Sequence, residues 1–178
     1  PLSFGTNLRI VSNKNYELLF AAMQRSNFRF INIGVESGSE RVRREVLRRS
    51  YSNHDIIKNV NLARKYGLKV CFYNMVGIPG ETVADFRETV RINRACSPDW
   101  QYLSISFPYP GTDLYRQCKQ KRLLPHTLDT DLERKKATLN LSGFSKKQIQ
   151  HCFNWFDYYL YKGRIPTYKL LIHVLVSK

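Results

Sequence analysis

Apolar and polar positions recur along this chain with two different periods, and the two periods alternate. Short β-branched and aromatic runs are each followed by a stretch whose apolar residues recur every three or four positions. The first pattern indicates β-strands and the second indicates amphipathic helices. The predicted strands are Asn7–Val11, Phe28–Glu36, Leu68–Val76 and Trp100–Phe107. The predicted helices are Asn15–Arg25, one that opens at Ser37, then Asn53–Tyr66, Val83–Ala95 and Thr112–Lys121.

This alternation of strands and helices predicts the fold class. Strand–helix–strand units at these spacings are typical of parallel sheets whose crossover connections are helices. We therefore expect an α/β fold: a partial TIM-type (β/α) barrel with about four parallel strands in sequential order and helices on one face. Residues 1–124 are predicted to form this unit, and residues 125–178 a helical extension.

Serine and threonine residues mark the predicted helix starts. Each is followed three positions later by an acidic residue or glutamine, the spacing of a capping box. The pairs are Ser37 with Glu40, Ser52 with Asp55, Thr82 with Asp85 and Ser145 with Gln148. The last pair opens a long helix rich in aromatic residues, which we interpret as a packing face rather than a base-stacking platform. The preceding stretch, 135–142, is compatible with either a strand or a helix.

Two predicted strands are polar along one face, which is unusual for parallel strands covered on both sides. If helices pack on the aliphatic faces, the polar side chains share one interior. They are Arg9, Asn32, Glu36, Asn74, Ser104 and Ser106. Buried polar groups are costly unless paired, so this interior holds either a hydrogen-bond network or a polar ligand. We favour the ligand, because Gly34 also clears space beside Glu36.

A glycine-rich turn follows the third predicted strand. Gly77 and Gly80 permit positive φ angles, and Pro79 fixes its own φ, so the chain can turn sharply before the helix that Thr82 caps. Backbone N–H groups at such a turn are predicted to point into the space above the sheet, where α/β enzymes hold ligands. A tight loop without a ligand is the alternative.

The composition adds charge to this picture. Lys and Arg number 29 against 14 Asp and Glu, a formal charge of +15. Such a positive charge is typical of proteins that bind nucleic acid, an anionic membrane or an anionic ligand. The pairs Glu40–Arg44 and Glu45–Arg49, at i,i+4 spacing, predict a solvated helix face for the densest basic run, so nucleic acid is the less favoured partner.

The cysteines bear on redox environment and metal binding. All 4 lie far apart, at Cys71, Cys96, Cys118 and Cys152, and no CxxC pair occurs. A metal site built from neighbouring cysteines is therefore not expected, and a reduced, cytoplasmic protein is the simplest interpretation. No apolar run reaches the length of a membrane span.

Four ordered motifs resemble those of radical S-adenosylmethionine (radical SAM) enzymes. They are Ile31–Ser39 (INIGVESGS), Leu47-Arg48-Arg49, Gly77–Thr82 (GIPGET) and Pro108–Thr112 (PYPGT). The resemblance is to the class that carries a cobalamin-binding domain before the barrel, including anaerobic magnesium-protoporphyrin IX monomethyl ester cyclases and related methyltransferases. It covers about residues 1–124.

The resemblance implies where S-adenosylmethionine would bind. Glu36, and Ser37 beside it, match positions near the ribose, where a carboxylate can accept hydrogen bonds from both hydroxyls. Arg49 matches an arginine near the methionyl carboxylate, although its pairing with Glu45 stays open. Val76–Gly80 would lie beside the adenine. The predicted binding residues are Glu36, Ser37, Arg49, Asn74, Gly77, Ile78, Pro79 and Ser104.

The chain departs from this family in two respects: it lacks the strand that carries the family's amino-group-binding glycines, and it lacks the cysteine motif. The CxxxCxxC loop that binds the [4Fe–4S] cluster is absent. The chain resembles strands three to six of the barrel, so we expect it to be the C-terminal half of a longer oxidoreductase or methyltransferase and inactive alone. The cluster, and cobalamin, would then belong to the full-length enzyme. Expected partners are the N-terminal remainder, a small-molecule substrate and a second copy at the bare edge of the first strand.

Two other functions remain open. The first is a basic half-barrel that binds RNA or another polyanion. The second is an ordinary TIM-type enzyme with a phosphate at Gly77–Thr82. The sequence assigns no catalytic acid or base.

Overall fold

A computed structural model of the protein describes residues 2–128, 130–131 and 133–176, apart from the side chain of His173. The strands are β1 (Phe4–Leu8), β2 (Phe28–Glu36), β3 (Lys69–Val76) and β4 (Trp100–Ile105). The helices are α1 (Glu17–Arg25), α2 (Glu40–Glu45), α3 (Asn53–Lys65), α4 (Val83–Cys96), α5 (Asp113–Gln120), α6 (Lys146–Asn154), α7 (Phe156–Tyr161) and α8 (Thr167–Val176).

The strands form one parallel sheet in the order β1-β2-β3-β4, which confirms the predicted α/β fold. Each strand is followed by a helix that returns the chain to the same end of the sheet, so all carboxyl ends meet at one edge. The β2–β3 register shifts between Gly34 and Glu36, where Glu36 takes a φ of 61°. The end of β2 therefore departs from regular strand geometry beside the predicted ligand site.

One face of the sheet is covered by helices. Ile31, Ile33 and Val35 of β2 and Val70 and Phe72 of β3 are buried there. Their helix partners are Phe20, Met23, Ile56, Val60, Ala63, Ile92 and Cys96 of α1, α3 and α4. Burying these aliphatic and aromatic side chains gives the main hydrophobic stabilisation of the unit.

The segment after Pro125 shares a second core with the sheet. Val76 and Ile105, at the ends of β3 and β4, and Phe86 of α4 pack against it. Its own buried residues are Ala137, Leu139, Leu141, Phe144, Ile149, Cys152, Phe156 and Leu160. The aromatic residues of this segment therefore include a packing face, as the helical spacing indicated.

Three local predictions need correction. The first strand is Phe4–Leu8 rather than Asn7–Val11, because pairing from Phe4–Phe28 to Leu8–Ile33 uses the earlier residues. Ser39, not Ser37, caps the helix after β2, and its hydroxyl accepts the Val42 N–H at 3.3 Å. The single aromatic helix is divided into α6 and α7 at Trp155.

The remaining capping predictions are confirmed. Ser52 with Asp55, Thr82 with Asp85 and Ser145 with Gln148 each form both hydrogen bonds of the capping box. Such pairs satisfy N–H groups that helix geometry leaves without partners. These caps fix the N-terminal ends of α3, α4 and α6.

The two edges of the sheet differ. The C-terminal segment runs beside β4, where the Ile105 N–H donates to the Arg134 carbonyl at 2.8 Å. At the other edge β1 pairs with β2, and among the described residues no strand pairs with its outer side. The C-terminal helices therefore do not cover the β1 edge. No helix in the described part of the chain is long and apolar enough to cross a membrane.

Candidate functional site at the carboxyl ends of the strands

A cleft of about 350 Å³ opens where β2, β3 and β4 end. It is lined by Glu36, Tyr73, Asn74, Met75, Ser104, Ile105, Phe107, Tyr109 and Arg134. Three predicted binding residues, Glu36, Asn74 and Ser104, are thus brought together. The carboxyl edge of a parallel sheet is the usual ligand position in α/β folds.

Glu36 is the carboxylate of this cleft. Its side chain is 19% exposed and forms an ion pair with Arg49, Oε1 to Nη2 at 3.0 Å. A Cβ at Gly34 would lie 2.7 Å from Glu36 Oε1, so the glycine does clear space for the carboxylate. Burial raises the pKa of Glu36, while the charge and hydrogen bond of Arg49 oppose that rise. Arg49 therefore favours the ionised form.

The predicted surface pairs of the basic run are not the ones formed. Helix α2 ends at Glu45, so Arg49 lies beyond the helix and pairs with Glu36 instead of Glu45. Glu45 contacts Arg41 at 3.6 Å and Arg44 at 3.3 Å. An i,i+4 pair requires a continuous helix between its members. Because α2 ends at Glu45, that condition is not met for Glu45 and Arg49.

Buried groups behind Glu36 fix the backbone that carries it. The Tyr51 hydroxyl donates to the Gly34 carbonyl at 2.9 Å, and Arg49 Nη1 donates to the same carbonyl at 3.1 Å. Arg43, fully buried, donates to the Ser37 carbonyl at 2.5 Å and to Asn53 Oδ1 at 2.8 Å. These contacts hold the irregular end of β2 from behind.

Ser37 and Gly38 dock the loop after β2 onto α4. Ser37 is fully buried, and its hydroxyl accepts the Ser39 N–H at 3.2 Å. The Gly38 N–H donates to Thr89 Oγ1 at 2.8 Å, and a Cβ at Gly38 would lie 2.3 Å from the Glu88 carbonyl oxygen. The loop thus approaches the α4 backbone too closely for any side chain at Gly38. In this structure Ser37 lies inside that contact rather than at the cleft surface.

Asn74 lies at the cleft, but its side chain points to the helices. Its amide exchanges hydrogen bonds with Asn93 of α4, at 2.9 and 3.2 Å. We predicted this side chain on the open face, and that placement is wrong. Asn74 is two residues from Phe72 and from Val76, both buried under the helices, so strand alternation could have indicated its side.

The glycine turn differs from its prediction as well. The Gly77 and Ile78 N–H groups donate to Glu81 Oε2 at 2.6 and 3.1 Å. A carboxyl oxygen of the chain itself occupies these donors, so they are not available to a phosphate. Ile78 and Pro79 are buried, and among the described residues the cleft lining does not include Gly77, Ile78 or Pro79. This geometry counts against the phosphate site at Gly77–Thr82.

Glu81 itself is 1% exposed and has no partner among the described residues at Oε1. Burial raises the pKa of Glu81 to about 8, although the two N–H groups act in the opposite direction. Sequence analysis did not single out this residue. Its position at the end of GIPGE, in front of the Thr82 cap, is the signal that was available.

Tyr109 and Arg134, which were not predicted as binding residues, line the cleft together with the predicted Ser104. Arg134 Nε donates to the Tyr109 hydroxyl at 3.1 Å, which places a guanidinium near the mouth of the cleft. Ser104 Oγ donates to the Asn74 carbonyl at 3.4 Å. Arg134 comes from the ambiguous segment after Pro125, and no local pattern there pointed to the cleft.

The cysteines do not fit an iron–sulfur cluster. All 4 are buried, in β3, α4, α5 and α6. Burial raises the pKa of Cys96, Cys118 and Cys152 to about 11, which opposes thiolate formation. Within the described residues no three His, Cys, Asp or Glu side chains form a metal-binding group. Any cluster would need ligands other than these cysteines.

The geometry defines a class: a parallel four-stranded α/β sheet with a half-buried carboxylate at the carboxyl end of its strands. Comparison with protein families specifies the class further. The model of the radical SAM superfamily matches residues 2–92, just over half of the chain. The chain belongs to the radical SAM superfamily.

Curated relatives match parts of the same region. A tRNA-2-methylthio-N(6)-dimethylallyladenosine synthase of Deinococcus radiodurans is 32% identical, over 57% of this chain and 20% of the relative. A protein of that name from Vibrio campbellii is 32% identical over 75% of this chain and 28% of the relative. An uncharacterized methyltransferase of Pyrococcus horikoshii is 28% identical over 61% of this chain and 23% of the relative. The chain spans less than a third of the length of these relatives.

Solved structures show the same fold. Coproporphyrinogen III oxidase (HemN) of Escherichia coli, a radical SAM enzyme, superposes with a TM-score of 0.53 at 17% identity, covering 72% of this chain and 29% of HemN. The radical SAM methyltransferase TsrM of Kitasatospora setae, with bound cobalamin and a [4Fe–4S] cluster, gives a TM-score of 0.52 at 21% identity, covering 64% of this chain and 23% of TsrM.

Proposed function

We propose that this chain forms the C-terminal part of a radical SAM domain and binds S-adenosylmethionine in the Glu36 cleft. The observation that carries this proposal is the Glu36 carboxylate itself, which Arg49 holds in the space that Gly34 leaves open. Each ribose hydroxyl of S-adenosylmethionine can donate a hydrogen bond to a carboxylate oxygen. The family match supports the choice of ligand.

The other residues predicted for this ligand take different parts in the proposal. Ser104 lies in the cleft and can contact the ligand directly. Arg49 is engaged by Glu36 and the Gly34 carbonyl, so its first role is to position Glu36, and its contact with the methionyl carboxylate stays a prediction. Asn74, Ser37 and Gly77–Pro79 support the walls from behind.

The proposal includes a partner for the chain. The chain lacks CxxxCxxC, and its four cysteines do not fit a cluster. We therefore propose that a preceding part of the same enzyme supplies the cluster ligands and pairs with the bare edge of β1. A bound cluster supplies the electron that cleaves S-adenosylmethionine reductively. The present residues would orient the nucleoside and bind substrate, and a homodimer through the β1 edge is the alternative use of that edge.

The reaction is proposed at two levels. The relatives with named reactions modify a tRNA nucleoside, and another is named a methyltransferase, which favours group transfer to a substrate. A cyclase-like reaction of the magnesium-protoporphyrin type and cobalamin dependence are the finer part of the proposal. Support for cobalamin is confined to the fold that the chain shares with TsrM. A cytoplasmic location also stays a prediction.

Binding of S-adenosylmethionine to the purified chain tests the proposal. We expect weak but saturable binding by ligand-observed NMR, and a loss of about 5- to 20-fold in affinity for Glu36→Gln, since a charge-assisted hydrogen bond is worth about 1–2 kcal/mol here. Glu88→Gln is the matched control, because Glu88 pairs with Arg91 on α4, outside the cleft lining. Equal affinities for the two variants would refute the site assignment.

A further inference from the structure

The face of the sheet opposite the helices carries a row of exposed aromatic side chains. Phe30, Tyr73, Trp100 and Tyr102 are between 37% and 57% exposed. Phe30, Tyr73 and Tyr102 lie within regular strands, and Trp100 begins β4. Contiguous exposed apolar surface on a folded domain usually marks a binding site. Because the rings stand on strands, little conformational entropy is lost when a ligand packs on them.

The rings are arranged as a platform. Tyr73 and Tyr102, partners in the β3–β4 register, stack with centroids 5.4 Å apart and planes at 19°. Phe30 and Trp100 meet edge to face at 6.4 Å. The Phe30 ring lies over Gly5 of β1, where a Cβ would come within 2.1 Å of it. The glycine therefore lets this ring lie close to the sheet.

Polar and basic groups accompany the rings. The four aromatics, with Asn32 and Cys71, line a cleft of about 390 Å³. The Lys69 ammonium lies 5.3 Å from the centroid of the Trp100 ring. Asn32 lines this cleft, and its Nδ2 donates to Asn7 Oδ1 at 3.0 Å, so its side-chain oxygen is not used in that hydrogen bond. An apolar protein partner would need none of these groups.

We propose that this open face binds the unpaired bases of a single-stranded RNA, stacked on Phe30, Tyr73, Trp100 and Tyr102. Bases stack on exposed sheet aromatics whatever their sequence, and phosphates bind the neighbouring cations. The formal charge of +15 complements such a polyanion. Tyr73 lines both this cleft and the Glu36 cleft, so the two clefts are adjacent. RNA bound here would be the substrate of the proposed S-adenosylmethionine site, and to that extent the inference rests on the proposed function.

Fluorescence anisotropy with a labelled single-stranded RNA of about ten nucleotides tests the inference. We expect Tyr102→Leu to weaken binding about 5- to 20-fold and Tyr102→Phe to change it less than about twofold, because stacking needs the ring and not the hydroxyl. Tyr168→Leu is the matched control, since Tyr168 is 62% exposed on α8 and does not line the aromatic cleft. Circular dichroism checks that each variant is folded.

Three outcomes would overturn the inference. Displacement of the RNA by polyphosphate of equal charge, as effective as displacement by unlabelled RNA, would show binding without base stacking. An equal loss of affinity in Tyr102→Leu and Tyr168→Leu would show that the platform residue has no special part in binding. A dimer in sedimentation that Tyr102→Leu dissociates would assign the face to a second copy of the chain. Titration with S-adenosylmethionine on the same samples separates these results from failure of the Glu36 site.

Discussion

Two carboxylates at the ends of neighbouring strands have opposite roles in this protein. Glu36, after β2, is partly exposed, lines the cleft and pairs with a side chain, Arg49. Glu81, after β3, is buried and accepts backbone N–H groups of the turn in front of it. The first can exchange its partner for a ligand. The second completes the fold and has little freedom to bind anything else.

The largest expected difference between them is in stability. Glu81→Ala leaves the Gly77 and Ile78 N–H groups buried without an acceptor, and we expect it to lower the free energy of unfolding by about 3–5 kcal/mol. Glu36→Ala should lower the free energy of unfolding by about 1 kcal/mol or less, because Arg49 keeps its hydrogen bond to the Gly34 carbonyl and is partly exposed to solvent. Urea unfolding followed by circular dichroism measures both. Similar losses for the two variants would remove the distinction.

The pH dependence of stability should sharpen the comparison. The pKa of Glu81 is raised to about 8 in the folded protein, so the folded state binds this proton more tightly than the unfolded state does. The contribution of protonated Glu81 to the free energy of unfolding is therefore fully present below about pH 4.5. It is lost as the pH rises towards 8, by at most about 1.4 kcal/mol per pH unit.

The amide variant isolates this effect. Glu81→Gln keeps an acceptor oxygen for the turn and removes the titration. We expect the wild type to lose stability relative to Glu81→Gln between pH 5 and pH 8, measured by urea unfolding at each pH. Parallel curves over this interval would show that Glu81 does not titrate as its burial indicates.

The smallest expected effect on stability is at Gly34. In Gly34→Ala the new Cβ would meet Glu36 Oε1, the far end of a flexible side chain that can move aside. We expect a stability change below about 1 kcal/mol, together with a several-fold loss of S-adenosylmethionine affinity, because the carboxylate is displaced. Calorimetric melting and ligand-observed NMR measure the two quantities. Unchanged affinity would show that the position of Glu36 in the cleft is not important.

The order and type of the main elements could be predicted from the sequence because their signals are local. Strand alternation, helical spacing and three capping boxes each depend on residues within a few positions of one another. The same signals placed Glu36 and Ser104 at the carboxyl edge of the sheet, where the cleft is found. Boundaries were less accurate at β1, whose limits depend on its pairing with β2.

The partners of the site residues could not be predicted in this way. Arg49 had two acidic residues within reach, Glu45 by helical spacing and Glu36 by the fold, and the early end of α2 selected Glu36. Arg134 reaches the cleft from a segment without a regular pattern. Asn74 was predictable from alternation, but its partner Asn93 was not, since it lies 19 residues away on another element.

The sequence by itself therefore determined a parallel α/β sheet, its helix caps and the motifs of a radical SAM domain. Only the tertiary structure decided that Glu36 faces the cleft while Glu81 turns inward to the backbone of its own loop. It also left the aromatic residues of β2, β3 and β4 uncovered. The physical reason is that strand and helix propensities act between near neighbours, whereas burial, charge pairing and pKa depend on groups that only folding brings together.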